Sequence, residues 1–339
     1  MRFGWILPVL ILFGLLLAPN AAAVAASDAA LLWWTRVLPS LLPYLITATL
    51  LERSGLFSRL PKRIAPMMLW LFGALGGYPV GAKLCAGLMN SGMLSERDAH
   101  RATPLVNLPN PVFLISVVAF GIFQSGRVLV PLLLGVYSAA AIGLVPLFRI
   151  RFNHGSNGTV RLTANDLPQA IETGVHAILV IGGCMLFASV LGALIEASGV
   201  LRVFGAWRET AHAILLGLFE MTCGVRTVSA LSLPLAARLG LCAFLIQFGG
   251  GSVLLQSAAQ GSVSIPRYAL IKALLALFSG VITGLLTPLF CPDITVPTIA
   301  SRAEMIENSW TILSALLSCA VGLLSIFVLT FGLHAKKAR

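Results

Sequence analysis

Charged residues are scarce in this sequence: Asp, Glu, Lys and Arg make up 10% of its 339 residues. Soluble domains contain about a quarter of such residues, so the scarcity argues against a soluble globular protein. The six cysteines are scattered without a CxxC pair, and no HExxH pattern occurs, so neither a metal site nor a disulfide framework is indicated. The phosphate loops GxGxxG and GxxxxGKS/T are absent, as is a recognisable Ser–His–acid pattern. We therefore expect neither an enzyme nor a bound cofactor.

Apolar residues, in contrast, make up 58% of the chain. Apolar runs of about twenty residues recur along its length, which is typical of α-helices that cross a bilayer. The alternating segments of about ten residues that transmembrane β-barrels have are absent. The sequence therefore predicts an all-α polytopic membrane protein whose partner is the lipid bilayer. The net charge of +11 fits the accumulation of Lys and Arg on cytoplasmic loops. No basic run interleaved with aromatic residues stands out, so we do not expect nucleic-acid binding.

The N-terminal segment, residues 1–30, has a basic start, an apolar run and AxA-like residues. It is either a cleaved signal peptide or a retained first span that acts as a signal anchor. The next apolar run follows at once, which favours a retained span over residues 3–25. A loop containing Asp28 would then lead to a second span over residues 31–51, followed by a strongly basic cytoplasmic loop.

The stretch LFGALGGYPVGAKL, residues 71–84, places four glycines, a proline and a lysine inside an apolar run. If residues 65–92 crossed the membrane once, Arg149, Arg151 and Arg161 would face outwards, against the positive-inside rule. If this segment enters and returns on one side, those arginines are cytoplasmic. The charges thus favour a re-entrant hairpin, and the same test favours a second one over residues 211–237. We expect about eight full spans with both termini cytoplasmic.

The two halves of the chain have the same order of features: a span, a broken hairpin, a span with a polar break and a further span. Because one such unit crosses the membrane an odd number of times, the second copy should be inverted. Inverted repeats with discontinuous helices are typical of secondary transporters. The predicted organisation is a first span in residues 1–30, a first repeat in 31–150, a cytoplasmic linker in 151–168, a second, inverted repeat in 169–290, and an external loop with a C-terminal span in 291–339.

The predicted hairpins need polar partners for their broken backbone, because lipid offers none. The residues expected at the tips and breaks are Gly76, Gly77, Tyr78, Pro79, Gly81, Gly224, Gly249 and Gly250. The alternative is that these glycines only allow helices to pack closely. Two glycine-rich segments at matching places, each beside a charge, favour the hairpins.

Glu220, in the stretch FEMTCGVR, is the sharpest candidate for a binding residue, because a buried carboxylate in a membrane costs a few kcal/mol unless it is paired or wet. It could accept hydrogen bonds from a solute or carry a proton; alternatively it forms a structural ion pair with Arg226 or Lys83. Amide side chains beside the predicted breaks could line a polar cavity, or only link helices. The full predicted binding set is Glu220, Asn107, Asn110, Gln247, Lys83, Arg226 and Thr222, and it contains no metal ligands.

Two further charges inside apolar runs are not expected at the site. Arg36 lies beside Trp33 and Trp34, whose aromatic rings favour the membrane interface. Lys272 lies near the start of its span. We expect both side chains to extend towards the interface, with their charged ends in water.

The stretches SLLPYLI, GGYPVGAK, NLPNPVFLISVVAFGIF and GLFEMTCGVRTVSAL resemble the YlbJ-like family of sporulation integral membrane proteins, which belongs to the wider nucleoside-recognition, or Gate, group. The resemblance extends over residues 31–288. It implies a core like that of concentrative nucleoside transporters, in which each half is a Gate-like repeat. It also implies a place in the bacterial plasma membrane and a role in spore formation.

Two main hypotheses for function follow. The first is a secondary transporter or permease of a small polar solute, nucleoside-like by analogy and coupled to H⁺ or Na⁺. The second is a non-transporting membrane scaffold or assembly factor for spore formation, because a transporter-like fold does not by itself imply transport. A membrane enzyme that acts on a lipid carrier is a third, weaker alternative. Homo-oligomers are compatible with each of them.

Overall fold

A computed structural model describes residues 5–292, apart from residues 55, 62, 154–162, 164 and 262. The predicted C-terminal span and most of the predicted linker lie outside the described residues. The α-helices of the described part are α1 (Ile6–Leu17), α2 (Pro19–Leu32), α3 (Leu38–Arg53), α4 (Leu56–Arg59), α5 (Ala65–Gly76), α6 (Val80–Asn90), α7 (Glu96–Val106), α8 (Leu129–Leu147), α9 (Asp166–Ala197), α10 (Arg208–Phe219), α11 (Met221–Ser229), α12 (Leu235–Phe248), α13 (Gly250–Ala259) and α14 (Ile265–Phe290).

The prediction of an all-α chain is confirmed, since the described residues are helical or irregular and contain no strand. Five helical stretches in this part are long and apolar enough to cross a membrane. They are Pro19–Leu51, Gly126–Leu147, Asp166–Ala197, Leu235–Ala259 and Ile265–Phe290. The inverted repeat, the re-entrant hairpins and the count of about eight spans stay predictions.

The loop predicted at Asp28 is wrong, because Asp28 lies inside α2. A π-helical turn, Trp33–Val37, joins α2 to α3 without a break. Alanine has the highest helix propensity of all residues, and the sequence around Asp28 is rich in alanine and contains no glycine or proline that would end a helix. The chain breaks instead at Ala18, whose φ of −133° and ψ of 54° are not helical. The residue before a proline avoids the helical region, and Pro19 then starts α2.

The continuous α2–α3 helix packs antiparallel to α9. At one end, the Arg53 guanidinium lies 3.1 Å from the Asp166 carboxylate. Further along, the Trp33 indole donates a 3.0 Å hydrogen bond to the carbonyl of Ile178. Residue numbers fall along the α2–α3 helix as they rise along α9. The two helices therefore run in opposite directions and pack side by side over most of their length.

The first helix pair, α5 and α6, reverses direction at residues 77–79 and holds the end of α7 against its backbone. A Cβ added to Gly73 would lie 1.9 Å from the Val106 carbonyl oxygen, and one added to Gly81 would lie 2.3 Å from the same atom. Only hydrogen fits at both positions. The two glycines therefore allow α7 to dock in the notch between the arms of the pair.

The second helix pair, α10 and α11, reverses direction at Glu220, whose backbone is extended with φ −145° and ψ 118°. A Cβ added to Gly224 would lie 2.1 Å from the Cα of Gly217, so the two arms touch through their backbones. The side chain of Leu245, on α12, covers both glycines. The element that follows each pair thus packs against a pair of glycines.

Each docking helix is interrupted soon after this contact. Helix α7 ends at Val106, and the next helical segment, Phe113–Ile122, has π-helical turns. Helix α12 ends at Phe248, followed by Gly249 with φ 85° and Gly250 with φ 75°. Such positive φ angles are readily adopted only by glycine. The predicted polar breaks are therefore real interruptions of the helices.

Candidate functional site

Three cavities follow one another along α9, and we call them the first, central and last cavities in that order. Their volumes are about 170, 30 and 740 Å³. On α9 they are lined by residues 173–180, by Ile181 and by residues 189–197, respectively. The α2–α3 helix lines the same three cavities in the opposite order along its sequence, as its antiparallel packing requires. The cavities therefore form a row parallel to two membrane-length helices.

The central cavity lies where the two helix pairs break. Tyr78 from the first break and Glu220 from the second both line it. The other polar residues around it are Thr222, Ser252 and Gln256, and the rest of its wall is apolar. A volume of this size holds about one water molecule. The two breaks thus enclose a small polar space at the middle of the row.

Glu220 is buried, with 4% of its surface exposed. It caps the N-terminus of α11, and its Oε2 accepts a 2.8 Å hydrogen bond from the backbone N–H of Cys223. The positive end of the α11 dipole favours a carboxylate at this position. No basic side chain of the described residues forms an ion pair with Glu220.

The ion pair considered from the sequence is therefore not formed within the described part of the chain. Arg226 lies 3.6 Å from Asp28 instead, and both side chains are more than half exposed in the last cavity. Lys83 lines the first cavity, where its Nζ donates a 2.9 Å hydrogen bond to the Thr49 hydroxyl. These two predicted site residues therefore lie at opposite ends of the row, on either side of Glu220.

Two residues that the sequence did not single out as primary candidates add to the central cavity. Ser252 and Gln256 are both buried, with 7% and 8% of their surface exposed. Both lie on α13, one helical turn apart, and both line the central cavity. Their hydroxyl and amide groups can donate and accept hydrogen bonds there.

Asn107 forms the hub of a second polar cluster, next to the central cavity. The residue is fully buried, and its Nδ2 donates 2.8 Å hydrogen bonds to the hydroxyls of Ser257 and Tyr268. Its Oδ1 accepts a 3.3 Å bond from the backbone N–H of Ala82. Asn107 therefore fastens the end of α7 to α6, α13 and α14 at once.

Lys272 belongs to this cluster, so the expectation that it reaches the membrane interface is wrong. It is fully buried, and its Nζ lies 2.7 Å from the Tyr78 hydroxyl and 3.1 Å from the Asn107 carbonyl oxygen. Arg36 is exposed, and its place at the membrane interface stays a prediction. Lys272 lies near the start of α14, but this helix packs its polar face inwards against the two breaks, so the lysine points into the protein.

A periodic signal could have revealed this inward face. Buried polar residues recur along α14 at helical spacing, on the same side as the lysine. They are Tyr268, Lys272, Ser279, Thr283 and Thr287, each with at most 2% of its surface exposed. A polar stripe of this kind in a membrane helix faces the protein interior, because lipid offers its members no partners.

The remaining predicted residues support the breaks and do not line the central cavity. Asn110 donates a 2.7 Å hydrogen bond to the Leu75 carbonyl and accepts a 2.6 Å bond from the Val112 N–H. Gln247 is fully buried, and neither polar atom of its amide has a partner among the described residues. The structure thus brings Glu220, Thr222 and Tyr78 together and places the other predicted residues around them.

The chain is 26% identical over 287 residues to the sporulation integral membrane protein YlbJ of Bacillus subtilis (strain 168). The alignment covers 71% of this chain and 70% of that protein. No protein-family model and no solved structure matches the chain. The described helices and this similarity agree with the motifs quoted above. The chain is therefore an integral membrane protein related to YlbJ, as its sequence motifs predict.

Proposed function

We propose that this chain is a secondary transporter or permease of a small polar solute in a bacterial plasma membrane, with a role in spore formation. The observation that carries the proposal is the row of three cavities. In this proposal the central cavity is the binding site, and the first and last cavities are the approaches to it from the two faces of the membrane, between which rocking of the halves would alternate access. Glu220 lies in the central cavity, and a buried carboxylate that has no ion-pair partner in the described part of the chain is a candidate functional group.

The parallel construction of the two halves supports this proposal. In the first half, Val106 packs against Gly73 and Gly81. In the second half, Leu245 packs against Gly217 and Gly224. The polar side chains of Asn107 and Gln247 then mark the two interruptions. We interpret the halves as inverted Gate-like repeats with two re-entrant hairpins, eight spans and cytoplasmic termini.

The lining of the central cavity favours a solute with several hydrogen-bond donors. Glu220 offers carboxylate oxygens, and Thr222, Ser252 and Gln256 offer groups that both donate and accept. Hydroxyl-rich or amine-bearing solutes, nucleosides among them, have this pattern. Because the cavity now holds about one water molecule, the helix pairs must move apart to admit such a solute. The structure thus represents a closed state in this scheme.

A thermal-shift screen of the purified protein tests the proposal. Candidate solutes are nucleosides, bases, amino acids and dicarboxylates, measured with wild type, Glu220→Gln and Glu209→Gln. Glu209 is exposed at the start of α10 and serves as the matched control. We expect one solute class to raise the melting temperature of wild type and Glu209→Gln by several degrees, because a ligand stabilises the folded state that binds it. Glu220→Gln should lose the shift.

A specific observation also favours the alternative of a non-transporting membrane scaffold for spore formation. The central cavity is small, and the cluster around Asn107 ties four helices together beside it. A membrane scaffold that does not change conformation would have such tight packing around the central cavity, and so would a transporter in a closed state. If no solute shifts any variant, and Glu220→Gln melts like wild type, the scaffold is the better explanation.

The inverted arrangement predicts the membrane side of two exposed loops. In a variant without native cysteines, Glu96→Cys lies beyond the open end of the first helix pair, and Ser232→Cys beyond that of the second. We expect a membrane-impermeant maleimide to label these positions from opposite faces of sealed vesicles. Labelling of both from one face would contradict the inverted repeat.

A further inference from the structure

Lys272 is a basic residue in the protein interior that has no carboxylate partner among the described residues. Its Nζ lies 4.8 Å from the centre of the Tyr78 ring as well as within hydrogen-bond distance of two oxygens. A buried charge without a counter-ion is costly, so the surroundings must supply compensating negative potential. The question is which groups supply it.

The compensating groups are the ends of two interrupted helices. Asn107 is the C-terminal cap of α7, and its carbonyl accepts from Lys272 at 3.1 Å. The Tyr78 hydroxyl lies 3.1 and 3.0 Å from the carbonyl oxygens of Ile246 and Gln247, in the last turn of α12. The C-terminus of a helix carries a partial negative charge. The negative ends of α7 and α12 therefore converge on Tyr78 and, through its hydroxyl, on Lys272.

In transporters with discontinuous helices, such helix ends and unwound carbonyls bind the coupling cation. We infer that the Lys272 ammonium takes the place of an exchangeable Na⁺ between the first helix pair and the ends of α7 and α12. The side chain is a tethered cation that stays in position when solute is released. The solute movement proposed above, on which this part of the inference rests, then does not depend on Na⁺.

The two oxygen atoms that contact Nζ are of a chemical type that both an ammonium group and Na⁺ accept. A carbonyl oxygen and a phenolic oxygen can accept hydrogen bonds from an ammonium group, and they are also the kind of ligand that hard cations prefer. Removing the lysine side chain would leave these oxygens around an empty space. Replacing it with an apolar chain of similar length would fill the space and exclude an ion.

The experiment compares melting temperatures in NaCl and in choline chloride at equal concentration, with no solute present. We expect wild type and Lys272→Met to melt at the same temperature in both salts. Lys272→Ala should melt several degrees higher in NaCl than in choline chloride, because Na⁺ binds its folded state. Both variants should melt below wild type in choline chloride.

A Na⁺-dependent rise of the wild-type melting temperature would overturn the inference, since an exchangeable site would then exist beside Lys272. A folded Lys272→Ala variant with the same melting temperature in NaCl and in choline chloride would overturn it as well. If Lys272→Ala can be purified only in NaCl, that requirement supports the inference; if it is recovered in neither salt, the wild-type comparison decides. Because no solute is used, a failed solute screen and a failed Na⁺ comparison remain separate results.

Discussion

Replacing Gly81 with alanine should lower the stability of the protein by about 3 kcal/mol, the upper part of the range for overpacked interiors. The new Cβ would lie 2.3 Å from the Val106 carbonyl oxygen and 2.6 Å from the Cα of Asn107. Both neighbours are backbone atoms, so no side-chain rotation can relieve the overlap. The first helix pair must separate from α7, which also disturbs the hydrogen bonds of Asn107. The melting temperature of the purified variant measures the loss.

Gly183→Ala is the matched control for this change. Gly183 lies in α9, and a Cβ added to it has no atom within 4 Å. Alanine is the better helix former by about 1 kcal/mol, so this variant should melt at or slightly above the wild-type temperature. Equal melting of the two variants would mean that α7 does not dock against the first helix pair as described.

The sequence predicted the helix interruptions well because each depends on local chemistry. Gly249 and Gly250 adopt φ angles that other residues avoid, and the prolines around Asn110 remove helix donors. Such features are visible in a few consecutive residues. The same reasoning located Glu220 at a break, where it proved to be the N-terminal cap of α11.

The tertiary partners could not be predicted in the same way. Whether Glu220 meets Arg226 or Lys83 depends on the direction in which each helix projects its side chains, and the structure places both bases in other cavities. Lys272 was assigned to the interface from its position in the span, although its contacts to Tyr78 and Asn107 cross more than 160 residues. Contacts over such separations leave no local pattern.

Replacing Asn107 with alanine should also lower the stability of the protein strongly, because Asn107 joins α7 to three other helices. In Asn107→Ala, the hydroxyls of Ser257 and Tyr268 each lose a 2.8 Å hydrogen bond inside the protein, and the N–H of Ala82 loses a 3.3 Å bond. Removing one partner of a buried hydrogen bond costs about 1–3 kcal/mol per group left behind. We expect a total loss of about 3 kcal/mol, because Ser257 keeps its bond to the Val253 carbonyl.

Asn90→Ala separates this effect from the general cost of losing an asparagine. Asn90 is exposed at the end of α6, where water can satisfy its amide, so its replacement should change stability by less than about 0.5 kcal/mol. Unfolding curves of both variants in detergent measure the difference. If Asn107→Ala were as stable as Asn90→Ala, the cluster would not hold α7 to its neighbours. The tip of the first helix pair would then have to be positioned by the glycine contacts alone, and the Na⁺ independence assigned to Lys272 would lose its structural basis.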